Sequence, residues 1–233
     1  MGPVPPRGRG PHVFVVDLHR LELTDDDRHH LQRSLRLRAG DPLTASDGAG
    51  RWRGARFGVE VEPDGPIEEG PQTGPEVVVA LTPVKGQRPE WAVQKLTELG
   101  VDAVWLLVTD RSVVRWDGER AVHHRDRLAR VAREAAMQSR RCTLPDLRVG
   151  IPVAQVLEAD TPPVLAHPGG GPPALGRPLL IGPEGGWSEA ELAAAPATVG
   201  LGPTVLRAET AAVAAGALLA GLRAGIVHAH PTG

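Results

Sequence analysis

One stretch near the C-terminal end constrains the fold most, because it carries the signals for a strand, a turn and a helix in direct succession. Leu179–Ile181 is a continuous apolar run, typical of a short buried strand. Three glycines between positions 182 and 186 free the backbone and leave its N–H groups bare. Ser188 and Glu191 have the spacing of a capping box, which predicts the start of a helix. Such an arrangement is either a plain structural turn or a site for a nucleotide-like ligand, although its spacing matches neither a Rossmann fingerprint nor a P-loop.

A second stretch, Leu201–Ala212, repeats this order a short distance downstream. Its strand-like run ends in the turn Gly202-Pro203, and a helix is predicted to follow. The chain closes with an Ala-rich helix predicted over 210–224, whose apolar residues are spread around most of its circumference. A helix that is apolar on more than one side favours a subunit interface.

The middle of the chain has the pattern of an α/β domain with a parallel sheet. Apolar runs at 76–81 and 103–108 flank a helix predicted over 89–99, which is typical of a βαβ unit. The apolar face of this helix is predicted to consist of Ala92, Leu96 and Leu99. The further predicted elements are a long helix over 119–141, a strand over 164–167 and a loose loop over 168–173.

The N-terminal part has the pattern of a small β-barrel, because short strands and turns follow one another closely. The elements predicted there are strands over 12–18, 51–57 and 59–61, a hairpin turn at 46–50 and a short helix over 27–35 capped near Thr24. Residues 62–75 are rich in Pro, Gly and acids without periodicity, which indicates a boundary. We therefore predict two domains, 1–73 and 74–233.

Composition excludes some classes of protein. The chain has 26 Lys and Arg against 28 Asp and Glu, a net charge of −2, which argues against a nonspecific nucleic-acid coat. Its one cysteine cannot form an internal disulfide, so a reducing compartment is natural. No apolar run has the length of a membrane span, and the Pro/Gly/Arg-rich first ten residues do not resemble a signal peptide. We expect a cytoplasmic protein with a flexible N-terminal tail.

Positive charge is nevertheless concentrated in two places. Seven Arg stand against two acids between residues 28 and 56, and seven against two between residues 120 and 141. Such runs are either solvated surfaces or phosphate-contacting faces. His29-His30 could suggest a metal, but no second Cys/His cluster has ligand spacing, so we expect none.

Taken together, the motifs resemble the RsmE family, the 16S rRNA uridine-N3 methyltransferases of the SPOUT class. The matching segments are GPEGGW-S, LGPTVLRAETAA, KGQRPEWAVQKLTELGV (Lys85–Val101), REAAMQSRR (Arg133–Arg141) and HHLQRSLRLRAGD (His29–Asp41). The resemblance implies an α/β trefoil-knot domain with a parallel sheet, a PUA-like RNA-binding barrel, a homodimer and S-adenosylmethionine (SAM) as methyl donor. The sequence departs from the family at Pro11–Phe14, where an Arg is usual, and at Met137, where a Glu is usual.

The resemblance also implies which residues form the sites. SAM would lie between two groups of residues, Leu180, Ile181, Gly182, Pro183, Glu184, Gly185 and Gly186 on one side and Leu201, Gly202, Val205, Leu206 and Ala211 on the other. The residues expected to contact RNA are Arg33, Arg36, Arg140 and Arg141. No metal is needed, because SAM itself carries the reactive sulfonium.

The chemistry of the reaction suggests the catalytic residues. Uridine N3 keeps its proton at neutral pH, so negative charge spreads onto O2 and O4 as the proton leaves. Arg207 is the candidate that would stabilise this charge, and Glu209 or Glu184 the candidate proton acceptor. The alternative is structural: Glu184 holds the turn, and Arg207 pairs with Glu209.

Two other functions fit the same motifs. One is another SPOUT enzyme, such as a ribose 2′-O-methyltransferase, and the other is a non-catalytic RNA-binding protein on the same fold. The Arg207–Thr210 segment favours the uridine-N3 group. Binding of SAM separates either enzyme from the non-catalytic protein.

Overall fold

The fold is known from a computed structural model that describes residues 5, 9–71, 74–84, 86, 88–116 and 118–228. Lys85 and most of the N-terminal tail that is predicted to be flexible lie outside the described residues. The chain divides into two compact units. The first is Met1–Gln72 with Arg133–Leu144, and the second is Thr73–Ala132 with Pro145–Gly233.

The first unit is built on a five-stranded sheet. Strand β1 is parallel to β2, β2 is antiparallel to β3, and both β4 and β5 pair with β3. The bounds are β1 His12–Phe14, α1 Asp25–His29, a one-turn π-helix His30–Ser34, β2 Pro42–Ser46, β3 Arg51–Arg56, β4 Glu62–Pro63 and β5 Glu68–Glu69. The predicted hairpin at 46–50 is confirmed by the β2–β3 pairing. The predicted cap is confirmed too, since Thr24 Oγ1 accepts from the N–H of Asp27 at 3.1 Å.

Two strands occupy the stretch that the sequence predicts to be irregular. Strands β4 and β5 lie within 62–75, whereas no strand forms over 59–61. Their pairing depends on close backbone approach rather than on apolar alternation: a Cβ on Gly54 would lie 2.5 Å from the carbonyl oxygen of Asp64, and one on Gly70 2.8 Å from that of Gly50. Periodicity cannot reveal strands of this kind.

Residues from the end of the long helix complete the core of the first unit. The Arg133 guanidinium donates to both carboxylate oxygens of Asp27, at 2.7 and 2.8 Å. Burial alone would raise the pKa of Asp27, but the hydrogen bonds from Arg133 and Thr24 hold it below its ordinary value. The apolar part of this core includes Val13, Leu31 and other buried aliphatic residues, with Met137 packed against them. These contacts explain why 133–144 groups with the first unit.

The second unit is built on a six-stranded sheet in the order β11-β9-β10-β6-β7-β8, and every pairing is parallel, as predicted. The strands are β6 Val78–Leu81, β7 Ala103–Val108, β8 Asp146–Pro152, β9 Val164–Gly171, β10 Leu179–Ile181 and β11 Thr198–Val199. The helices are α2 Arg88–Glu98, α3 Gly118–Ser139, α4 Val153–Leu157, α5 Glu189–Ala194 and α6 Ala208–Arg223. No helix in these described ranges is long and apolar enough to cross a membrane.

Several predictions about this unit are wrong. The sequence does not reveal β8, α4 or β11, and β9 continues to Gly171 where a loose loop is predicted. Glycine explains that extension, because a Cβ on Gly170 would lie 2.6 Å from the backbone of Val199. Leu99 is 36% exposed rather than part of the buried face of α2, on which Ala92 and Leu96 are fully buried.

Candidate functional site

A cavity of about 380 Å³ lies in the second unit, where strands β7, β10 and β11 end. Ligands of open parallel sheets bind at the carboxyl ends of strands, so this is the expected place for a site. The cavity is lined by Arg111, Ala166, His167, Pro168, Ile181, Gly182, Pro183, Glu184, Gly186, Trp187, Leu201, Gly202, Thr204, Val205, Leu206, Ala208 and Ala211.

The first wall of the cavity, residues 181–187, is the glycine turn after β10. A Cβ on Gly182 would lie 2.9 Å from the Trp187 ring, so the packing of this ring already requires a glycine here. The Trp187 indole is buried and donates its N–H to the carbonyl of Ala166 at 3.0 Å. Gly186 has φ of 71°, which favours glycine, and its N–H donates to the carbonyl of Pro183 at 2.8 Å. The wall is therefore held by its own contacts.

The helix after this turn begins as the sequence predicts. Ser188 caps α5: its Oγ accepts from the N–H of Glu191 at 3.2 Å, and a Glu191 carboxylate oxygen accepts from the N–H of Ser188 at 2.7 Å. The capping box is confirmed and has a further role. Ser188 Oγ donates to Asp110 at 2.6 Å, and the N–H of Asp110 donates to Glu191 at 2.9 Å. The connection after β7 is thereby tied to the start of α5.

Arg111 is the main site residue that the sequence analysis missed. It lines the cavity, and its Nη1 donates to the carbonyl of Gly185 at 3.0 Å. A usable signal existed, because Arg111 follows the end of β7 closely and parallel strands bring their carboxyl ends to one edge. The other lining residues missed are Ala166, His167, Pro168, Trp187, Thr204 and Ala208.

The second wall of the cavity, residues 201–206, has fewer hydrogen bonds than the first wall. Val205 is 92% exposed, and Gly202 has φ of 140°. Within the part of the chain that the structure describes, none of 201–206 makes a hydrogen bond to another residue. No strand forms within 201–206; the strand before the turn Gly202-Pro203 is β11, which ends at Val199.

Nearly all residues expected to bind SAM line this one cavity. The exceptions are Leu180 and Gly185. Leu180 packs with Ala80 and Leu107 in a core cluster, because successive residues of a strand face opposite sides of the sheet. Gly185 contributes its carbonyl to Arg111 instead. The roles of these residues toward SAM stay predictions.

Arg207 and Glu209 lie where α6 begins, next to cavity-lining residues. Arg207 is exposed, and its side chain makes no hydrogen bond or ion pair to another described residue. Glu209 is buried; one carboxylate oxygen lies 3.6 Å from Arg88 Nε, and the other has no hydrogen-bond partner among the described atoms. Arg88 also lies 3.8 Å from Glu184. The predicted alternative, an ion pair between Arg207 and Glu209, does not form. The arginine that lies beside the Glu209 carboxylate is Arg88.

The four arginines expected to contact RNA fall into two kinds. Arg33 and Arg36 are exposed. Arg140 instead donates to the carbonyls of Pro5 and Gly10, at 3.1 and 2.6 Å, and to Thr44 Oγ1 at 3.2 Å. Arg141 is half-buried and donates to Thr143 Oγ1 at 3.2 Å.

A buried histidine belongs to the same network as Arg140. His12 Nε2 donates to the carbonyl of Arg141 at 3.0 Å, which leaves Nδ1 to accept from Thr44 Oγ1 at 2.8 Å. Burial and then the charge of Arg140 lower the pKa of His12 from 6.5 to about 4, although the bond to Arg141 opposes this. His12 is therefore neutral at physiological pH. Across the described residues, no group of three His, Cys, Asp or Glu side chains could hold a metal ion.

Two protein-family models match this chain. A family model described as an RNA methyltransferase domain matches residues 72–220, and one described as an RNA methyltransferase PUA domain matches residues 23–59. A relative from Mycobacterium bovis, named ribosomal RNA small subunit methyltransferase E, is 33% identical over 231 residues, covering 87% of this chain and 84% of the relative.

Solved structures have the same fold. A probable rRNA-methyltransferase from Porphyromonas gingivalis matches with a TM-score of 0.77 at 32% identity, over 93% of this chain and all of that one. A ribosomal RNA small subunit methyltransferase E from Neisseria gonorrhoeae, bound to S-adenosyl methionine, matches with a TM-score of 0.73 at 25% identity, over 89% and 95% of the two chains. The predicted SPOUT-type α/β domain and PUA-like N-terminal domain are confirmed. On both sequence and fold, the chain belongs to the ribosomal RNA small subunit methyltransferase E family of RNA methyltransferases.

Proposed function

We propose that this protein uses SAM to methylate N3 of a uridine in the 16S rRNA of the small ribosomal subunit. The observation that carries the proposal is the cavity at the strand ends, lined by two of the segments that resemble the family. Membership of the family and the SAM-bound neighbour from Neisseria gonorrhoeae support the same reading. We assign RNA binding to residues 1–73 and methyl transfer to 74–233.

The cavity fits SAM in size and in the chemistry of its lining. Its volume of about 380 Å³ lies within the range of small-molecule sites. Ile181, Leu201 and Leu206 offer apolar surface to an adenine, and the backbone of the glycine turn offers donors and acceptors without side chains in the way. SAM, when bound, supplies an electrophilic methyl group on its sulfonium.

Arg207 and Glu209 are the residues proposed to act on the uridine. Arg207 stands between the cavity-lining Leu206 and Ala208, and no other described residue neutralises its charge. Its guanidinium would stabilise the negative charge on O2 and O4 as N3 loses its proton. Glu209 has one buried carboxylate oxygen with no hydrogen-bond partner among the described atoms, so that oxygen can accept the proton.

We further propose that the protein works as a cytoplasmic homodimer with α6 at the interface. The buried side of α6 includes Ala212 and Leu219, whereas Ala217 on another side is exposed and Leu218 is half-buried. Ile226, which follows the helix, is 80% exposed. An apolar face and tail of this kind would be covered by a second copy of the chain. Analytical ultracentrifugation should give twice the chain mass, and a monomer would contradict the dimer.

Two measurements on the full chain test the proposed reaction. Calorimetry should detect SAM binding, and the absence of binding would favour a non-catalytic RNA-binding protein. Nucleoside mass spectrometry should find 3-methyluridine missing from 16S rRNA when the gene is deleted. Loss of a 2′-O-methylated nucleoside instead would identify a ribose methyltransferase.

The RNA surface is tested by matched loss of charge. Arg33→Ala and Arg36→Ala should each weaken rRNA binding. Each should also lower, by about one, the magnitude of the slope of the logarithm of the binding constant against the logarithm of salt concentration. Arg177→Ala removes an exposed charge from the second unit and should leave that slope unchanged. An equal effect of all three would mean that only net charge matters.

A further inference from the structure

We propose that Arg111 binds the carboxylate of the methionine part of SAM. This inference rests on the proposed function, because it assigns one residue to one group of the methyl donor. It concerns a residue outside both glycine-containing motifs, in the connection after β7.

The first observation is that Arg111 stands on a connection fixed on both sides. Just before it, Asp110 accepts from Ser188 Oγ at 2.6 Å and donates its N–H to the buried Glu191 at 2.9 Å. Just after it, Ser112 Oγ lies 2.8 Å from Thr109 Oγ1 and accepts from the N–H of Thr109 at 2.9 Å. These bonds place the arginine before any ligand arrives, which reduces the entropy lost on binding.

The second observation is that the guanidinium is only partly used. Nη1 donates to the carbonyl of Gly185 at 3.0 Å, and no other described residue accepts a hydrogen bond from this side chain. A guanidinium has five N–H donors in a planar fork, so several remain for a ligand. A carboxylate is the group that this fork binds best, through two parallel hydrogen bonds.

The third observation is that the cavity offers one place for a negative charge. Among the residues recorded in its lining, Arg111 is the single Lys or Arg. Glu184, the acid of the lining, is 67% exposed at its side chain and lies 3.8 Å from Arg88, so its nearest cation is not Arg111. The carboxylate is the one anionic group of SAM. The charges of ligand and cavity therefore match if that carboxylate meets Arg111.

The test compares ligands that differ in this carboxylate. S-adenosylhomocysteine has it, and 5′-methylthioadenosine is the corresponding nucleoside without the amino-acid part. In the full chain, Arg111→Gln should raise the Kd for SAM and S-adenosylhomocysteine by about tenfold or more, the effect of losing hydrogen bonds to a charged group. The Kd for 5′-methylthioadenosine should change by less than about twofold. Arg111→Lys should recover part of the loss, because it restores the charge but not the fork.

Arg115→Gln is the matched control, since Arg115 is an exposed arginine of the same connection outside the cavity lining. It should leave all three Kd values unchanged, and melting temperatures should show that every variant is folded. Equal weakening of all three ligands by Arg111→Gln would overturn the proposal, because Arg111 would then only support the turn. Unchanged SAM binding with weaker RNA binding would also overturn it. If the wild type binds none of the three ligands, the proposed function itself fails.

Discussion

The buried polar network of the first unit and the polar groups at the cavity of the second unit differ in how many of their hydrogen bonds are made within the chain. In the first unit, Arg133 is paired with Asp27, Arg140 donates to two backbone carbonyls, and His12 uses both ring nitrogens. All of these hydrogen bonds join groups of the same unit. Such a network stabilises a fold when it is complete, and it leaves little for a ligand.

The second unit leaves polar groups incomplete around its cavity. The Arg111 side chain has one hydrogen bond, the Arg207 side chain has none to another described residue, and one oxygen of Glu209 has no partner among the described atoms. Groups of this kind add little to stability but are available to substrates. The comparison predicts that substitutions in the first set change the free energy of unfolding, whereas substitutions in the second set change binding and turnover.

The largest effect on stability is expected at the pair of Arg133 and Asp27. Arg133→Ala would leave the buried carboxylate of Asp27 without its partner, which should lower the free energy of unfolding by about 3 kcal/mol. Arg130→Ala, an exposed change on the same helix, should cost less than about 0.5 kcal/mol. Urea titrations measure both, and equal costs would contradict the comparison.

The next effect depends on pH and concerns His12. Its folded pKa of about 4 lies below the unfolded value near 6.5, so only the unfolded chain takes up a proton between these values. Stability is therefore full above about pH 6.5 and falls as the pH is lowered toward 4, by at most about 1.4 kcal/mol per pH unit. Asp27 and Asp47 have lowered pKa values, so their losses occur below this window.

The control for this pH dependence is His12→Gln, which cannot titrate. The variant should be less stable than the wild type at pH 7, and the difference in their free energies of unfolding should decrease as the pH falls toward 4. His124 also has a lowered pKa through burial, but it is present in both proteins and cancels in the difference. If this difference in free energy of unfolding stays constant with pH, His12 is not held neutral in the folded protein.

A smaller effect is expected at Gly182, the most constrained residue of the first cavity wall. In Gly182→Ala the new methyl group would meet the Trp187 ring at 2.9 Å, so the ring or the turn must move. We expect a loss of about 1–3 kcal/mol in stability, together with weaker SAM binding. Gly185→Ala is the matched control, because its nearest contact would be an ordinary 3.8 Å to Arg111. Thermal melts and calorimetry on the two variants give the answer.

Local apolar patterns and capping residues predict those parts of the fold in which neighbouring residues decide the structure. The parallel sheet, the Ser188 capping box and the Thr24 cap all follow from neighbouring residues. Strands that form where glycines allow backbone to meet distant backbone, as at Gly70 and Gly170, could not be predicted, because those contacts carry no periodic signal.

The residues of the candidate site also differ in how well the sequence predicts them. The two motif stretches could be expected to share one cavity, since both resemble family segments. Arg111 follows β7 and could therefore be placed at this edge of the sheet, but its position in the cavity lining depends on the long-range hydrogen bond between Asp110 and Ser188. The hydrogen bonds of Arg140 could not be predicted from the sequence, because its partners at positions 5 and 10 are far away in the chain.

The smallest effect on stability and the clearest on activity are expected together at Arg207. This side chain is exposed and has no partner among the described residues, so Arg207→Ala should change the free energy of unfolding by less than about 0.5 kcal/mol. Turnover should nevertheless fall by about tenfold or more, as expected when one donor to a developing negative charge is lost. SAM and RNA affinities should change little, because the charge it stabilises develops only in the reaction. Single-turnover rates, Kd values and urea titrations on Arg207→Ala and Arg207→Lys measure these quantities. A loss of stability in step with activity would mean that Arg207 is a structural residue like Arg133, and the contrast between the two units would not hold at this position.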